Sequence, residues 1–437
     1  MSSAQNFKNP PSVPPASFAA AQVHALPAGM RDLLPEEARA QSLLARSLLG
    51  SFALHGYELV TLPIFEYASV LERGLGSLAE DEVLRFIEPE TGRVVALRPD
   101  MTTQIARLLS ARLADAPGPA RLCYQGSVLR RRRERARRER QIPQAGVELV
   151  GLSGLEGDLE VLGVAAASAR AAGLSDFALD LGHAGIAGAL LEGVAEPAQA
   201  AIVEALGVRD TSEVTRRAER YGVRGASLEA LGALPSLHGA ESVWPLAERA
   251  LANTPARACL DELKRLWEAA GAAGVAPRLL VDLAETRNLA YYTGAMFQLH
   301  AKGPGRALGS GGRYDGLLGR FGRARPAAGF SFGLDELAWA LELAEKPREP
   351  APRLLVTGSA SEVLSGLRGC GLAAAEAPAG DPLAYARAWR YTHLVETTLN
   401  TATLVRVDDL AREALPRDAR ALGAAARALL ELGSQDE

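Results

Sequence analysis

The sequence predicts an α+β fold in which an antiparallel sheet is flanked by helices. Three short strand-like segments, 94–99, 121–130 and 144–151, do not each lead into a helix. This pattern favours an antiparallel sheet over a doubly wound parallel one. Residues 184–276 are rich in alanine and leucine at helical spacing and indicate a helical insert. A proline-containing linker then precedes residues 353–437, where strand-like and helix-like segments alternate in a small α/β region.

The elements before the sheet are a tail, a helix and a broken strand. Residues 1–25 contain several prolines among small and polar residues and predict a disordered tail, without the basic start and apolar block of a signal peptide. The main domain is expected over 26–345, and its first helix begins at Pro35. Pro63 interrupts the strand-like segment 57–66. Because proline lacks a ladder donor, Pro63 is expected at a sheet edge or subunit boundary.

The later elements follow from hydrophobic periodicity. Helices are predicted at 100–114 and 156–172, strands at 278–283 and 293–301, and a final helix at 417–433. The length of 437 residues suits two or three such domains.

Composition and charge exclude several classes of protein. The 48 basic and 52 acidic residues give a formal charge of -4, which does not favour a nucleic-acid coat protein. Every apolar stretch of about 18 residues is interrupted by charge, which excludes a transmembrane helix. Cys123, Cys259 and Cys370 are far apart and form no CxxC pair, so we expect a reducing cytoplasm rather than a disulfide framework.

The sequence contains no motif for a common cofactor or metal. It has no GxGxxG or P-loop after a strand, no HExxH, no GxSxG and no cluster of cysteine and histidine ligands. We therefore expect no cofactor and no metal.

The strongest local anomaly in charge is the segment 130–140. Eight of its eleven residues are arginine and two are glutamate, a net charge of +6. Guanidinium groups suit phosphate or carboxylate oxygens, although such a run is also typical of a solvated loop. Arg130 stands at the end of a strand and is the member expected to reach a pocket.

Asp100 and Thr102 follow the strand-like segment 94–99 directly. A carboxylate and a hydroxyl so close together suit an ammonium group. The alternative is helix capping, in which either side chain accepts the first free amides of the helix at 100–114.

Gln144, Gly146 and Glu148 lie on one face if their segment is a strand. Gly146 would then leave space between two polar side chains. Glu148, among Val147, Leu149 and Val150, would be costly to bury without a partner, and a solvent-facing strand edge is the alternative.

The last two segments with candidate binding residues contain tyrosines. The segment 287–293 contains Arg287, Tyr291 and Tyr292, and an extended chain would point the two tyrosines to opposite faces. The glycine-rich segment 309–317 contains Tyr314.

Taken in order, these segments resemble the catalytic domain of histidyl-tRNA synthetase, a class II aminoacyl-tRNA synthetase, over about residues 26–340. The resemblance is carried by PAGMRDLLP (27–35), TLPIFE (61–66), CYQGSVLR (123–130), QAGVELVG (144–151), RNLAYYT (287–293) and GSGGRYDGL (309–317). It implies a class II fold and a dimer interface near Pro63. The segments YARAWRYTHLVETT (385–398) and TLVRVDDL (403–410) resemble that family's anticodon-binding domain, so 353–437 would be a reduced form of it.

The resemblance also implies a histidine pocket. Asp100, where the family has glutamate, and Thr102 would hold the ammonium group of the ligand. Arg130, Gln144 and Arg287 would face its carboxylate. Glu148 and Tyr292 would each bind one imidazole nitrogen, and Tyr291 and Tyr314, from the same two signatures, complete the predicted set.

The nucleotide half of the family site does not carry over. The family has Arg-x-Glu where this chain has Arg130 and Arg132, and an arginine where GFSFGLDEL places Glu336. The family signature RGLDYYT also departs at Asn288 and Ala290. These positions predict that adenylation is lost and that the chain has no catalytic residue of its own.

A histidine pocket without an ATP site resembles the regulatory subunit of ATP phosphoribosyltransferase, a synthetase paralogue in the first step of histidine biosynthesis. The resemblance implies a short catalytic partner that this chain activates, histidine as feedback effector, and a homodimer within a hetero-octamer. Between 351 and 437 the 9 basic and 11 acidic residues give -2, which does not favour tRNA. The alternatives are a divergent histidyl-tRNA synthetase and a scaffold that binds no histidine.

Overall fold

The computed structural model describes residues 26–75, 83–131, 139–286, 291–344, 352–358, 361–398 and 401–432. The chain forms two compact units that divide between residues 345 and 346. The tail predicted at 1–25 lies outside the described residues.

The first half of the larger unit supplies most of the strands that form its sheets. In chain order its elements are α1 (Pro35–Leu54), β1 (Glu58–Leu59), β2 (Phe65–Tyr67), α2 (Ala68–Leu75), β3 (Arg85–Ile87), β4 (Val94–Leu97), α3 (Thr102–Ala111), β5 (Ala120–Leu129), β6 (Gln141–Val150), α4 (Gly154–Ala171) and β7 (Ala178–His183).

The second half of the larger unit begins with helices and returns to strands. Its elements are α5 (Ala184–Leu190), α6 (Glu196–Gly207), α7 (Thr211–Arg220), α8 (Gly225–Ala233), β8 (His238–Gly239), α9 (Trp244–Leu251), α10 (Arg257–Ala272), β9 (Arg278–Asp282), β10 (Ala295–His300), β11 (Gly309–Arg313), β12 (Ala327–Gly333) and α11 (Leu334–Ala344).

A nine-stranded sheet forms the centre of this unit, in the order β1-β5-β6-β12-β11-β10-β7-β9-β8. Its pairings are antiparallel except β1 with β5 and β7 with β9, which are parallel. The α+β class is therefore confirmed, with a mixed central sheet. The strands predicted at 121–130 and 144–151 are β5 and β6, which pair as a hairpin.

The two faces of this sheet differ in chemistry because side chains alternate along each strand. One face carries large apolar residues that pack with α1, α4 and α10 in the main core. From β6, β10 and β12 these residues are Val147, Leu149, Phe297, Phe330 and Phe332. The opposite face of β6 and β12 carries Gln144, Gly146, Glu148, Gly329, Ser331 and Gly333. We call this second face of the sheet, from β5 to β12, the cleft floor.

Pro63 lies in the loop between two strands that belong to different sheets. β1 joins the central sheet, whereas β2 belongs to a three-stranded sheet of order β2-β4-β3. The Pro63 carbonyl accepts hydrogen bonds from the side chains of Arg98 and Gln104, which fix the loop between the two sheets. The single strand predicted at 57–66 is thus two short strands.

Six α-helices, α5 to α10, lie between β7 and β9. Leu206, Val214, Leu231 and Leu260 from these helices share the core beneath the central sheet. Residues 184–272 therefore pack against the rest of the larger unit and share its core.

The smaller unit has a five-stranded sheet of order β14-β13-β15-β16-β17, in which β13 pairs in parallel with both β14 and β15. Its elements are β13 (Arg353–Thr357), α12 (Ser361–Gly369), β14 (Ala373–Glu376), α13 (Pro382–Ala388), β15 (His393–Thr397), β16 (Ala402–Arg406), β17 (Arg412–Leu415) and α14 (Ala419–Leu432). Helices α12 and α14 pack together over a core of its own. Of the helices in the described ranges of both units, none combines the length and apolarity needed to cross a membrane.

Candidate ligand-binding cleft

Glycines on the cleft floor make room for polar side chains from neighbouring strands. Gly146 on β6 faces Tyr124 on β5, and a Cβ at Gly146 would lie 2.7 Å from the Tyr124 hydroxyl. Gly329 on β12 faces Glu148, and a Cβ there would lie 2.7 Å from the Tyr314 hydroxyl. Because real Cβ atoms essentially never approach so closely, side chains at either position would close this part of the cleft.

Glu148 is the centre of the polar network on this floor. Only 1% of the surface of Glu148 is exposed to solvent. Thr102 Oγ1 donates to Glu148 Oε1 at 2.7 Å, and the Tyr124 hydroxyl donates to the same oxygen at 3.2 Å. The Tyr314 hydroxyl donates to Oε2. Glu148 is therefore buried on a central strand, and the alternative of a solvent-facing strand edge is wrong.

The surroundings of Glu148 favour its neutral form. Burial raises its pKa well above the ordinary value, and the nearby Asp100 carboxylate raises it further. The hydrogen bonds from Thr102 and Tyr124 act in the opposite direction, because they stabilise the carboxylate. A cationic or N–H-donating ligand beside Glu148 would supply the missing stabilisation of the charged form.

Asp100 has two different partners. Its Oδ1 accepts the backbone N–H of Thr103 at 2.9 Å, in the first turn of α3. Its Oδ2 accepts the hydroxyl of Tyr291 at 3.3 Å. The capping alternative is therefore correct for one oxygen of Asp100, while the other oxygen faces the tyrosines. Thr102 does not cap the helix through its side chain; it reaches Glu148.

Three tyrosine rings lie against one another beside Asp100 and Glu148. The ring centroids of Tyr291 and Tyr292 are 4.9 Å apart, and that of Tyr314 lies 5.7 Å from Tyr291 and 6.4 Å from Tyr292. The opposite orientation expected of Tyr291 and Tyr292 in an extended chain does not apply, because both residues precede β10 and are not part of a strand. Burial raises the pKa of both hydroxyls, as does the Asp100 carboxylate, so both remain proton donors at neutral pH.

Of the three residues expected to face a ligand carboxylate, Arg130 and Gln144 are among the described residues. Arg130 Nε donates to the Pro99 carbonyl at 2.8 Å, and the Arg130 charge opposes the rise in the pKa of Tyr292. Gln144 lies on the cleft floor between Gly126 and Gly333, four residues from Glu148 and therefore about 14 Å along the strand. Arg287 and Arg132 lie outside the described residues.

Tyr124 is a polar residue of the site that the sequence analysis did not single out. It is 3% exposed, and its hydroxyl reaches Glu148. Burial raises its pKa well above the ordinary value, and the Glu148 carboxylate adds to the effect. Pairing the segments 121–130 and 144–151 as a hairpin would have put Tyr124 opposite Gly146, on the same face as Glu148.

Glu336 lies beyond Gln144 at the far end of the same floor. It stands in the first turn of α11, and its Oε1 is 2.7 Å from the Arg306 guanidinium. Within the part of the chain that the structure describes, no group of three histidine, cysteine or acidic side chains is placed to hold a metal ion.

Comparison with known proteins gives concordant matches. The family profile described as histidyl-tRNA synthetase matches residues 29–337. An ATP phosphoribosyltransferase regulatory subunit from Moorella thermoacetica is 41% identical over 317 residues, 72% of this chain and 81% of the relative. One from Anaeromyxobacter sp. is 42% identical over 337 residues, 75% of this chain and 98% of the relative.

Solved structures agree with these matches. The structure of an ATP phosphoribosyltransferase regulatory subunit/histidyl-tRNA synthetase from Bacillus halodurans C has a TM-score of 0.75 and 28% identity, over 85% of this chain and 98% of that chain. A histidyl-tRNA synthetase from Nostoc sp. shares the fold, with a TM-score of 0.70 and 19% identity over 93% of this chain and 100% of that chain.

Proposed function

Because the chain belongs to the family of ATP phosphoribosyltransferase regulatory subunits, which is related to histidyl-tRNA synthetase, we propose that it is the histidine-sensing subunit of that enzyme. Family membership agrees with the sequence-based expectation of a non-catalytic subunit. In the proposal, histidine binds the cleft, inhibits by feedback, and acts on a short catalytic subunit that this chain otherwise activates. No tRNA and no cofactor take part, and the cysteine usage supports a cytoplasmic location.

The observation that carries this proposal is the buried Glu148 carboxyl group beside three tyrosine rings. An imidazole has one N–H donor and one acceptor in its neutral form. Glu148 is suited to accept that N–H, and a tyrosine hydroxyl, that of Tyr292, to meet the other nitrogen. A ligand with an aliphatic side chain would leave both groups unpaired, which costs about 1–3 kcal/mol for each buried polar group. Discrimination against such ligands follows from this cost.

The rest of the proposed pocket complements a free amino acid. Asp100 and Thr102 stand beside each other at the start of α3 and are assigned to the ammonium group. Arg130, Gln144 and Arg287 are assigned to the carboxylate. Tyr291 and Tyr314 hold Asp100 and Glu148 in place through their hydroxyls.

The same cleft is poorly suited to ATP. Arg132 and Glu336 stand where the synthetases carry a glutamate and an arginine. Replacing a positive by a negative charge about 4 Å from a phosphate changes the interaction by about 8 kcal/mol at an effective dielectric of 20. We therefore propose that adenylation is lost.

The proposed assembly is a homodimer of this chain within a hetero-octamer. Apolar side chains on and beside the three-stranded sheet support a dimer contact near Pro63, because they are exposed in the single chain. They are Ile64, Phe65, Phe86, Ile87 and Val94, which are 41–68% exposed.

Isothermal titration of histidine into the intact chain tests the central proposal. We expect saturable binding by the wild type and a loss of about 10- to 150-fold in affinity for Glu148→Gln, since a hydrogen bond to a charged group contributes about 1.5–3 kcal/mol. Glu156→Gln, on the exposed start of α4, is the matched control and should bind as the wild type does.

Two outcomes would contradict the proposal. A folded wild-type chain that gives no heat with histidine would favour the scaffold. Robust histidine-dependent exchange between ATP and pyrophosphate would instead favour a divergent histidyl-tRNA synthetase.

A further inference from the structure

A buried ion pair lies behind the central sheet, on the face opposite to the cleft floor. Arg313 is the last residue of β11, is only 5% exposed, and pairs across the strands with Ala328 of the main core. Its Nε donates to Asp158 Oδ1 on α4 at 2.7 Å. Because desolvation offsets most of the attraction, a buried pair contributes little net stability, and the geometry that it fixes is its more informative property.

The Arg313 guanidinium ties the end of β11 to the start of α4. Its Nη1 donates to the Leu152 carbonyl at 3.3 Å, and its Nη2 donates to the Gly154 carbonyl at 3.0 Å. Two glycines leave the space that this side chain occupies. A Cβ at Gly157 would lie 2.7 Å from Nη2, and a Cβ at Gly294 would lie 3.0 Å from Cδ. The position of the side chain is therefore fixed from both sides.

The backbone beside this guanidinium joins the two tyrosine segments of the cleft. The Thr293 N–H donates to the Arg313 carbonyl at 2.8 Å, and the Asp315 N–H donates to Thr293 Oγ1 at 2.9 Å. Tyr292 directly precedes Thr293, and Tyr314 lies between Arg313 and Asp315. Both segments are thus attached to each other at the residue whose side chain is anchored on α4.

Asp158 is the more effective of the two carboxylates that face this guanidinium. Asp315 Oδ1 accepts from Arg313 Nη1 at 3.0 Å, but the Asp315 side chain is 44% exposed. The same Asp315 oxygen also accepts the N–H of Ala327 at 2.9 Å. The Asp158 side chain is only 15% exposed. Since solvent screens an exposed charge, Asp158 supplies most of the negative charge that holds Arg313.

The charge of Asp158 depends on pH near neutrality. Burial raises the pKa of the Asp158 carboxyl group to about 6. The Arg313 guanidinium acts in the opposite direction, whereas the carboxylates of Asp315 and of Glu262 on α10 raise the pKa further. His183 of β7 hydrogen-bonds to that Glu262 at 3.3 Å. Asp158 is therefore ionised above about pH 6 and neutral below it.

We propose that Asp158 is a positioning residue for the cleft, and that through Arg313 it holds the segments of Tyr292 and Tyr314 in the arrangement that binds the ligand. Asp158 lies behind the sheet and contacts no ligand itself. When its charge is lost, the guanidinium is held less firmly, the two segments move relative to Glu148, and the ligand binds less tightly. The inference rests on the proposed function, because histidine is the ligand in question.

Calorimetric titration of histidine into the intact wild type and Asp158→Asn, at about pH 8 and about pH 5, tests the positioning role. Asparagine imitates the protonated form of Asp158. The wild type should bind at least about tenfold more tightly than the variant at about pH 8, and the ratio of the two affinities should approach one at about pH 5. Protonation of histidine and of Glu148 affects both proteins alike, so it cancels in this ratio.

Three further variants act as controls. Asp158→Glu keeps the charge, so its affinity should stay close to that of the wild type at both pH values. Glu156→Gln removes an exposed charge from the same helix and should also bind as the wild type does. Thermal melting shows whether each variant is folded, and Asp158→Ser provides the same comparison if Asp158→Asn does not fold.

Two results would overturn this inference alone. One is a folded Asp158→Asn variant that binds histidine as tightly as the wild type at about pH 8. The other is a loss of affinity of the same size at both pH values, which is expected of a purely structural defect. A wild type that binds no histidine at either pH would overturn the proposed function as well, so the two failures are distinguishable.

Discussion

The carboxyl group of Glu148 accepts hydroxyl donors from three separate elements, α3, β5 and the segment after β11. All three donors are neutral. They satisfy the geometry of a carboxylate without supplying the positive charge that burial of an anion requires. The network therefore holds Glu148 in position at a cost that a positively charged or N–H-donating ligand would reduce.

This cost predicts a pH dependence of stability. The pKa of Glu148 is raised in the folded chain, so the folded state retains a proton that the unfolded state has released. Stability should therefore fall as pH rises above the unfolded value, by at most about 1.4 kcal/mol per pH unit, until the folded pKa is passed. Glu148→Gln removes this titration, so its free energy of unfolding relative to the wild type should be more favourable at pH 7.5 than at pH 4.5.

Urea denaturation of the wild type, Glu148→Gln and the exposed Glu156→Gln at the two pH values checks this. The free energy of unfolding of Glu156→Gln should differ from that of the wild type by the same amount at both pH values. If the difference in free energy of unfolding between Glu148→Gln and the wild type also stays constant with pH, the pKa of Glu148 is not raised in the folded chain.

The sequence predicted which residues belong to the candidate site more readily than it predicted the orientations of their side chains. Short signatures carry most of the candidate residues, which are Asp100, Thr102, Glu148, Tyr291, Tyr292 and Tyr314, whereas Tyr124 was missed. The orientation of Tyr291 and Tyr292 could not be predicted, because alternation applies to strands and both residues precede β10. The pairing of Arg306 with Glu336 could not be predicted, since no local pattern relates a loop residue to a helix residue about 30 positions later.

At the scale of the strand, β6 and β12 show why a sheet can be a core on one face and a cleft on the other. In β12, Gly329, Ser331 and Gly333 alternate with Ala328, Phe330 and Phe332. The phenylalanines pack in the core, and the glycines leave space on the floor for Glu148 and Glu336. This composition also explains why β12 was not predicted as a strand, because glycine is depleted in strands.

We predict that Gly329→Ala closes the cleft. The new Cβ would overlap the Glu148 carboxylate and lie 2.7 Å from the Tyr314 hydroxyl. We expect a loss of about 1–3 kcal/mol in the free energy of unfolding, as in overpacked cores, together with loss of histidine binding. Denaturation and calorimetry on the same sample check both effects.

Gly163→Ala is the matched control for this substitution. Gly163 lies in α4, where a Cβ would meet nothing within 4 Å, so alanine should stabilise the chain by about 1 kcal/mol. A Gly329→Ala variant with wild-type stability and histidine affinity would mean that the floor is not the binding surface.

At the scale of the whole molecule, every candidate residue lies in the larger unit. The match to the family profile ends at residue 337, shortly before the division between the units. The alignment that covers 98% of the Anaeromyxobacter sp. relative uses 75% of this chain, so that relative has no counterpart for about a quarter of it. We therefore expect the proposed histidine site to lie in the larger unit.

A sensor must also communicate with the subunit that it regulates. If histidine binds one quaternary state more tightly, the coupling free energy between histidine and the catalytic subunit must be the same in both directions. We predict a coupling of about 1–3 kcal/mol, so that partner binding changes the histidine affinity by roughly 5- to 150-fold. The partner affinity should then change by the same factor when histidine is saturating.

Calorimetry with the short catalytic subunit measures both sides of this cycle. Histidine is titrated into the chain alone and into the complex, and the partner is titrated with and without histidine. In Glu148→Gln the two partner titrations should coincide, because the effector no longer binds at the concentrations used. Equal histidine affinities with and without the partner would remove the allosteric part of the proposal and leave only the binding site. Unequal factors on the two sides would instead reveal a second histidine site, on the partner or between the subunits.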